Sequence, residues 1–156
     1  CAVSGLGTLA GVQLGTLLSS AHARNVALEV MREAVSISRA ESIELERIGG
    51  TFDLNWLADP NASASGLSHW QRHAVLMIVG FKYRKLRSSM LSAIEKRRPP
   101  AVDYLNGEVA ALGEKHGIDT PMNAQVTQLI HAIASGRTMP TPQHLHDLKF
   151  KRAEIE

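Results

Sequence analysis

Two adjacent hydroxyl side chains, Ser88 and Ser89, stand directly before a stretch whose apolar spacing predicts a helix. A serine at the start of a helix usually accepts a hydrogen bond from a backbone N–H of the first turn. Such a pair can also form one wall of a pocket that holds a polar ligand. From the pair alone, helix capping is the better interpretation, so any binding role must depend on other residues.

Two histidines, His69 and His73, lie one helical turn apart, which is the spacing of a chelating pair. Two ligands do not make a metal site, and the residue after His69 is Trp70 rather than the glutamate of an H-E-x-x-H motif. We therefore predict surface or partly packed histidines and no metal site. The same applies to the two histidines of the tail, His144 and His146.

The charge balance is nearly even, with 17 basic and 15 acidic residues and a formal net charge of +2. A nucleic-acid binder that relies on electrostatics would need a strongly basic face. Basic runs occur at 82–87 and 96–98, but aromatic residues make up only 4% of the chain, so no stacking platform is available. We predict solvated helix faces there and no nucleic-acid partner.

Helical periodicity and cap residues predict an all-α bundle of five or six helices, forming a single domain over residues 1–156. Ser19 and Ser20 are candidate caps of a helix running to about Arg39, in which Glu29 and Glu33 can pair with Arg32 or with neighbouring turns. The remaining signals are a helical turn at 52–57, a cap at Ser68, a double proline at 99–100, Pro121 as a helix start, Gly117 and Gly136 as helix ends, and a short helix after Thr141.

The first 18 residues are apolar and rich in glycine, with no basic segment of the kind that begins a secretory signal. Their glycines and Gln13 also argue against a membrane span. We expect an interior helix whose preceding sequence is missing, so that the chain is a fragment. The only cysteine, Cys1, excludes an intrachain disulfide and fits a reducing, cytoplasmic location.

Three ordered strings, SSML, then PPAVDYLNG, then LGEKHGIDTPMN, resemble the C-terminal domain of the ketopantoate reductase family. The first residues, CAVSGLGTLAGVQLGTLL, are similar to the family segment N-C-x-x-N-x-L-T-A-L-x-G, which follows the catalytic lysine. The resemblance covers nearly the whole chain and is loosest at 44–67 and after Arg137. It implies a fold like the C-terminal domain of 6-phosphogluconate-dehydrogenase-like reductases.

The same resemblance implies a two-domain oxidoreductase that reduces a small 2-oxo acid with NADPH, as in pantothenate biosynthesis. An N-terminal Rossmann domain, absent from this chain, would hold NADPH, and the helical domain would close over the substrate and often carries a homodimer contact. The family lysine would lie a few residues before Cys1 and donate a proton to the carbonyl oxygen. We therefore expect no catalytic residue in this chain, and the isolated chain should be inactive.

Carried over residue by residue, the resemblance makes Ser89 a substrate-binding residue. Ser4 stands where the family usually has a substrate-bonding asparagine, and Leu14 where another polar contact is often found. Ala101 replaces a glutamate that contacts the cofactor and assists the reaction, so the chain itself offers no cofactor-binding residue. These differences leave open a related 2-oxo acid as substrate, or a relative with lost or altered activity.

The remaining motif residues have a structural interpretation. We predict that Asp103 and Asn106 tie helix ends together and that Gly107 allows close helix approach. One arginine of the basic runs is a candidate for the substrate carboxylate or the cofactor phosphates, without the sequence selecting which. The alternative hypothesis for the whole chain is a non-catalytic helical module that self-associates or binds a partner.

Overall fold

The computed structural model describes residues 2–45, 53–61 and 66–150, which contain nine α-helices, one π-helical turn and no strand. The prediction of an all-α fold is confirmed. The structure divides the chain more finely than the expected five or six helices, because short helices stand beside the long ones. The helices are α1 (Ala2–Ala10), α2 (Leu14–Ser19), α3 (Ala21–Ala40), α4 (Leu54–Leu57), α5 (Leu67–Lys82), α6 (Ser89–Glu95), α7 (Glu108–His116), α8 (Pro121–Ala134) and α9 (Gln143–Asp147), and the π-helical turn is Asp103–Gly107.

The core lies where α1, α3 and α8 meet. Its fully buried side chains come from all three helices and include Leu6, Leu9, Val26, Val30, Val126 and Ile130. Helix α3 is the longest element, and Ser20 caps it by accepting a hydrogen bond from the amide of Ala23, as predicted. Helix α1 packs against α3, α6 and α8, so its residues are held on several sides.

Helix α6 begins as its sequence predicts. The Ser88 Oγ atom accepts a hydrogen bond from the amide of Leu91 at 3.3 Å, which makes Ser88 rather than Ser89 the cap. The predicted cap at Ser68 is wrong. Helix α5 already begins at Leu67, preceded by Gly66, so the Ser68 hydroxyl lies inside the first turn instead of before it.

The segment after the double proline begins with a π-helical turn rather than a regular α-helix. The amide of Gly107 donates to the carbonyl of Val102 at 2.9 Å, which is an i to i+5 bond. Helix α7 follows directly and ends at Gly117, whose φ of 64° is in the left-handed region. Pro121 then occupies the first turn of α8, as predicted.

Glu33 is buried and does not pair with Arg32, contrary to the expectation from helical spacing. Arg32 instead pairs with Glu29 at 3.0 Å. The Glu33 carboxylate accepts the amides of Met122 and Asn123, each at 2.8 Å, and the side-chain amide of Asn123 at 2.6 Å. A carboxylate on α3 thus caps the N-terminus of α8, where the helix dipole favours negative charge. Burial raises the pKa of Glu33, and these hydrogen bonds oppose that rise.

None of the helices in the described part of the chain is both long enough and apolar enough to cross a membrane.

Candidate functional site

Four hydroxyl groups from α1 and from the start of α6 meet in one hydrogen-bonded group, which we call the hydroxyl cluster: Ser4, Thr8, Ser88 and Ser89. The Ser4 Oγ atom lies 3.2 Å from the Oγ atoms of both Ser88 and Ser89. The Thr8 Oγ1 atom lies 2.6 Å from Ser88 Oγ. Residues more than 80 positions apart in the sequence therefore share one site. The structure brings together the two predicted substrate-binding residues, Ser4 and Ser89.

The hydroxyl cluster has a buried half and an accessible half. Thr8 is 0% exposed and Ser88 is 7% exposed, whereas Ser4 is half-buried and Ser89 is exposed. Both buried hydroxyls also lie 2.8 Å from the backbone carbonyl oxygen of Ser4. A ligand arriving from solvent would therefore meet Ser4 and Ser89, while Thr8 and Ser88 act only from behind.

The chemistry of the hydroxyl cluster is binding rather than acid–base catalysis. Serine and threonine hydroxyls each supply one donor and two acceptor positions and stay neutral at ordinary pH. Within the described residues, the side-chain hydrogen bonds of Ser4, Thr8, Ser88 and Ser89 go to other hydroxyl groups and to backbone groups, and no ionisable side chain takes part in them. Such donors suit the oxygens of a carboxylate or a carbonyl group.

Close packing behind Ser4 fixes the position of α1. A Cβ atom at Gly5 would lie 3.0 Å from both the Oδ1 atom of Asn106 and the Cγ1 atom of Val126, so only glycine fits without a shift. The fully buried Asn106 donates to the Oδ1 atom of Asn123 at 2.9 Å, which ties the π-helical turn to α8. The predicted structural role of Asn106 is confirmed.

Two of the family positions carry no polar contact here. Leu14 is 5% exposed and belongs to the hydrophobic core, so it presents no group to a ligand. Ala101 lies in the exposed turn just before the π-helical turn, and its methyl group cannot replace a glutamate. Asp103 accepts a hydrogen bond from His131 on α8 at 2.7 Å, which fits its predicted role of tying helix ends together.

The histidine pair is engaged in a structural contact. The Nδ1 atom of His73 accepts a hydrogen bond from the Nε atom of Arg24 at 3.0 Å, and its Nε2 atom donates to Asn25 at 2.9 Å. Burial, followed by the neighbouring His69 and Arg24, lowers the pKa of His73. Among the described residues no group of three or more His, Cys, Asp or Glu side chains could hold a metal ion.

The first basic run, 82–87, lies at the end of α5 and in the turn that leads to Ser88 rather than on a helix face. Its side chains are exposed. The Arg84 guanidinium lies over the ring of Phe81 at 5.3 Å, and Arg87 pairs with Glu95 at 2.8 Å. These contacts hold the turn near the hydroxyl cluster but do not select an arginine for a ligand.

Sequence comparison identifies a family and several relatives of this chain. Residues 1–134 match the family described as "Ketopantoate reductase PanE/ApbA C terminal". The 2-dehydropantoate 2-reductase of Streptococcus pyogenes serotype M1 is 25% identical over 119 residues, which are 76% of this chain and 32% of that protein. The protein of the same name from Archaeoglobus fulgidus is 36% identical over 50 residues, 32% of this chain and 17% of that protein. The chain thus spans about a third of the Streptococcus relative.

Two solved structures share the fold. A PanE/ApbA family ketopantoate reductase from Ralstonia eutropha JMP134 superimposes with a TM-score of 0.66 at 19% identity, over 88% of this chain and 38% of that one. D-Mandelate dehydrogenase, solved with NADH and anilino(oxo)acetate, gives a TM-score of 0.61 at 22% identity, over 86% of this chain and 47% of that one. These two similarities show the fold, and the family match over residues 1–134 shows that the chain belongs to the ketopantoate-reductase-like oxidoreductases and corresponds to their helical C-terminal domain.

Proposed function

We propose that this chain forms the substrate-binding side of an NADPH-dependent 2-oxo acid reductase. The observation that carries the proposal is the 3.2 Å contact between Ser4 and Ser89, which come from opposite parts of the chain. Family membership and the names of the relatives support the reaction class. The complete reductase also needs the residues that this chain, about a third of the Streptococcus relative, does not contain.

The role of this chain is to bind and orient the acid. The Ser4 and Ser89 hydroxyls would donate to the carboxylate or 2-oxo oxygens of the substrate. A hydrogen bond to a charged group is worth about 1.5–3 kcal/mol. Two such donors side by side fix the direction of the acid as well as its position, which is what an incoming hydride requires.

The described residues do not fit NADPH as its main binding site. They contain no strand, and so lack the strand–glycine loop–helix unit that holds a dinucleotide pyrophosphate. The Ala101 side chain also offers no polar atom to the cofactor. We place NADPH and the proton-donating lysine on a second, N-terminal domain that closes a cleft against Ser4 and Ser89.

The substrate is a small 2-oxo acid, with 2-dehydropantoate as the first to test because the sequence relatives bear its name. Ala101, Ser4 and Leu14 all differ from the family pattern, and all three changes shorten or remove a polar contact. A related 2-oxo acid with fewer polar groups fits these changes better than 2-dehydropantoate does.

The test is the intact protein, expressed from its full coding sequence. NADPH oxidation is followed at saturating cofactor with 2-dehydropantoate and a panel of 2-oxo acids that differ in side-chain size and polarity. The proposal predicts turnover of at least one acid and binding of NADPH in its absence. No turnover of any acid together with no NADPH binding contradicts it.

We also propose that the intact protein is a homodimer joined through the outer face of α5, the surface formed by Leu67, Trp70, Ala74, Met77 and Phe81. Four of these side chains are exposed by 52–74%. Their spacing of three, four, three and four residues is that of a helix packed along its length against another helix. The opposite side of α5, with Leu76 at 2% exposure, already packs inside the domain.

A second copy of the chain is the occupant that this face fits. Between Leu67 and Phe81 the only Asp, Glu, Lys or Arg is Arg72, which is 4% exposed, so two copies of the face do not repel each other. Ala74 at the centre would let two antiparallel helices approach closely. With about 200 Å² for a large apolar side chain, the exposed fractions of the four large side chains give the face about 500 Å². This area equals that of the largest patch on an ordinary monomer, about 300–600 Å² and often functional, and is smaller than the roughly 800 Å² that a stable interface buries on each partner. The helical spacing and the lack of exposed charged side chains, rather than the area, therefore favour a second copy.

Light scattering of the intact protein over a range of concentrations tests the dimer. A mass twice that of the monomer, falling toward the monomer on dilution, supports self-association. A monomer at every concentration contradicts it and points to a cover from elsewhere in the same protein.

A further inference from the structure

We infer that Thr8 and Ser88 are positioning residues, which keep the Ser4 hydroxyl a hydrogen-bond donor toward the bound acid. Neither can touch a ligand directly, because they are 0% and 7% exposed. Their influence passes through the Ser4 hydroxyl and through the direction in which its proton points. The inference rests on the proposed function, in which Ser4 contacts the substrate.

The Ser4 carbonyl oxygen has two lone pairs. As in any α-helix, one of them accepts the backbone amide four residues later, here that of Thr8. One lone pair remains. The Thr8 and Ser88 hydroxyl oxygens both lie 2.8 Å from this carbonyl oxygen. The same two hydroxyl oxygens lie 2.6 Å from each other. Two protons are therefore shared among three oxygens.

Only two arrangements place a proton in the 2.6 Å contact between Thr8 and Ser88 and also give the Ser4 carbonyl oxygen a hydroxyl donor. Each of them leaves one of the two hydroxyl–carbonyl contacts without a proton. In the first, Thr8 donates to the Ser4 carbonyl and Ser88 donates to Thr8. In the second, Ser88 donates to the Ser4 carbonyl and Thr8 donates to Ser88. Both arrangements consume both protons, so Ser88 has no proton to give to the Ser4 hydroxyl oxygen. In the contact between the Ser4 and Ser88 hydroxyls, 3.2 Å long, only Ser4 can donate.

The two arrangements differ in what they leave for a ligand. In the second, the two lone pairs of Ser88 are filled by Thr8 and by the amide of Leu91, whose nitrogen lies 3.3 Å away. The Ser4 proton then has no acceptor behind it and is directed to Ser89 or to the ligand. An anionic ligand favours this arrangement, because it gains a donor. Thr8 is therefore the residue whose proton fills the lone pair of Ser88 that would otherwise accept the Ser4 proton.

This proton arrangement also restricts the kind of ligand. In the second arrangement the Ser4 proton is available to a ligand, and a bound acceptor can also take the Ser89 proton, so the site offers two donors side by side. Carboxylate and carbonyl oxygens accept such donors, while an ammonium or amide N–H does not. The buried pair thus favours a ligand that carries carboxylate or carbonyl oxygens, as a 2-oxo acid does, without contacting it.

Replacing Thr8 by valine removes the proton that fills Ser88 and keeps the shape of the side chain. Ser88 then has a free lone pair 3.2 Å from Ser4, and the Ser4 proton turns inward in competition with the substrate. In the intact protein we expect Thr8→Val to raise the KM of the best 2-oxo acid by about 3- to 10-fold, with kcat changed less. Thr8→Ser retains the hydroxyl and should restore KM to within about twofold.

Thr127 on α8 provides a matched control. Its hydroxyl donates to the carbonyl four residues earlier, that of Asn123, at 2.8 Å, and the Thr8 hydroxyl has the same spacing and distance to the Ser4 carbonyl oxygen. Thr127→Val should leave KM unchanged. An unchanged KM in Thr8→Val, a failure of Thr8→Ser to restore it, or an equal rise in Thr127→Val would each overturn the inference.

A neutron structure of the intact wild-type protein tests the inference without any variant or activity. It should show the Thr8 and Ser88 protons inside the buried group and no proton of Ser88 directed at the Ser4 hydroxyl. A Ser88 proton on that line overturns the inference even if the enzyme is active. Absence of turnover with every 2-oxo acid counts against the proposed function alone, because the neutron result still decides the proton arrangement.

Discussion

The hydroxyl cluster and the outer face of α5 differ in the kind of side chain that they leave exposed. At the hydroxyl cluster, four polar side chains from distant parts of the sequence find partners in one another, and the buried pair is fully bonded. On α5, a row of large apolar side chains stays exposed at the surface of the described domain. The hydroxyl cluster exposes hydrogen-bond donors to solvent, whereas the outer face of α5 exposes apolar side chains.

The difference indicates what each surface is for. Buried polar groups without partners are costly, so a small bonded cluster with two accessible hydroxyls fits a small polar ligand. Exposed apolar area is tolerated one side chain at a time, but a continuous face along a whole helix fits another protein surface. A substrate and a second copy of the chain would thus be bound at separate places by different physical forces.

The largest effect is expected from breaking the buried polar support behind the hydroxyl cluster. Glu33→Ala leaves the amides of Met122 and Asn123 unbonded and should lower the free energy of unfolding by about 4 kcal/mol. Thermal unfolding should then move down by roughly 8–16 °C. Glu29→Ala, one turn earlier on α3, breaks only a partly exposed pair with Arg32 and should cost less than about 1 kcal/mol. Equal losses would show that the burial of Glu33 contributes nothing.

The second largest effect should change the dimer contact without changing the substrate site. Met77→Glu places a charge in the proposed dimer contact, one turn from Ala74, and should raise the dimer dissociation constant by about 100-fold or more, because each copy would bury an unpaired carboxylate in an apolar contact. Substrate KM should not change. Gln128→Glu, on an exposed position of α8, is the control. Light scattering that gives the same mass for wild type and Met77→Glu rules out this face as the interface.

A smaller effect is expected on the polar side. Ser89→Ala removes one exposed donor and should reduce kcat/KM of the intact protein by about 10- to 30-fold, with the unfolding temperature unchanged. Ser88, not Ser89, caps α6, so stability and activity should separate. Ser135→Ala, another exposed serine, should have no effect on either measurement. A parallel loss of stability and activity in Ser89→Ala would mean that Ser89 only supports the helix.

The smallest expected effect is a pH dependence of thermal stability, which arises where α5 contacts α3. The pKa of His73 is lowered from 6.5, mainly by burial, so its stabilising bond with Arg24 is present above pH 6.5 and is lost as the pH falls through the folded-state value. Thermal unfolding should fall by about 1–3 °C more between pH 7 and pH 5 in wild type than in His73→Gln. His144→Gln should keep the wild-type profile; an unchanged profile in His73→Gln contradicts this role.

The long helices could be predicted because their information is local. Ser20 caps α3, Gly117 ends α7 and Pro121 begins α8 through residues that lie within one turn of each boundary. The π-helical turn at 103–107 was not predicted, because the same apolar spacing fits an ordinary α-helix. The turn packs against α8, a contact between distant parts of the chain that local spacing does not reveal.

Only part of the candidate site could be predicted from the sequence. The resemblance pointed to Ser4 and Ser89, but the contact between them depends on how α1 packs against α6. Thr8 was missed, although its spacing of four residues from Ser4 places both on one helix face. Glu33 was assigned to the wrong partner because helical spacing reveals only neighbours on the same helix, and its partners lie about 90 residues away.

The most direct test of the account is a double-mutant cycle on Ser4 and Ser89 in the intact protein, with kcat/KM for the best 2-oxo acid as the measurement. We predict that Ser4→Ala and Ser89→Ala each reduce kcat/KM by about 10-fold or more, and that the double variant loses less than the product of the two. Such coupling is what two hydroxyls 3.2 Å apart on one substrate should give. A folded double variant that reduces the acid as fast as wild type would contradict the account.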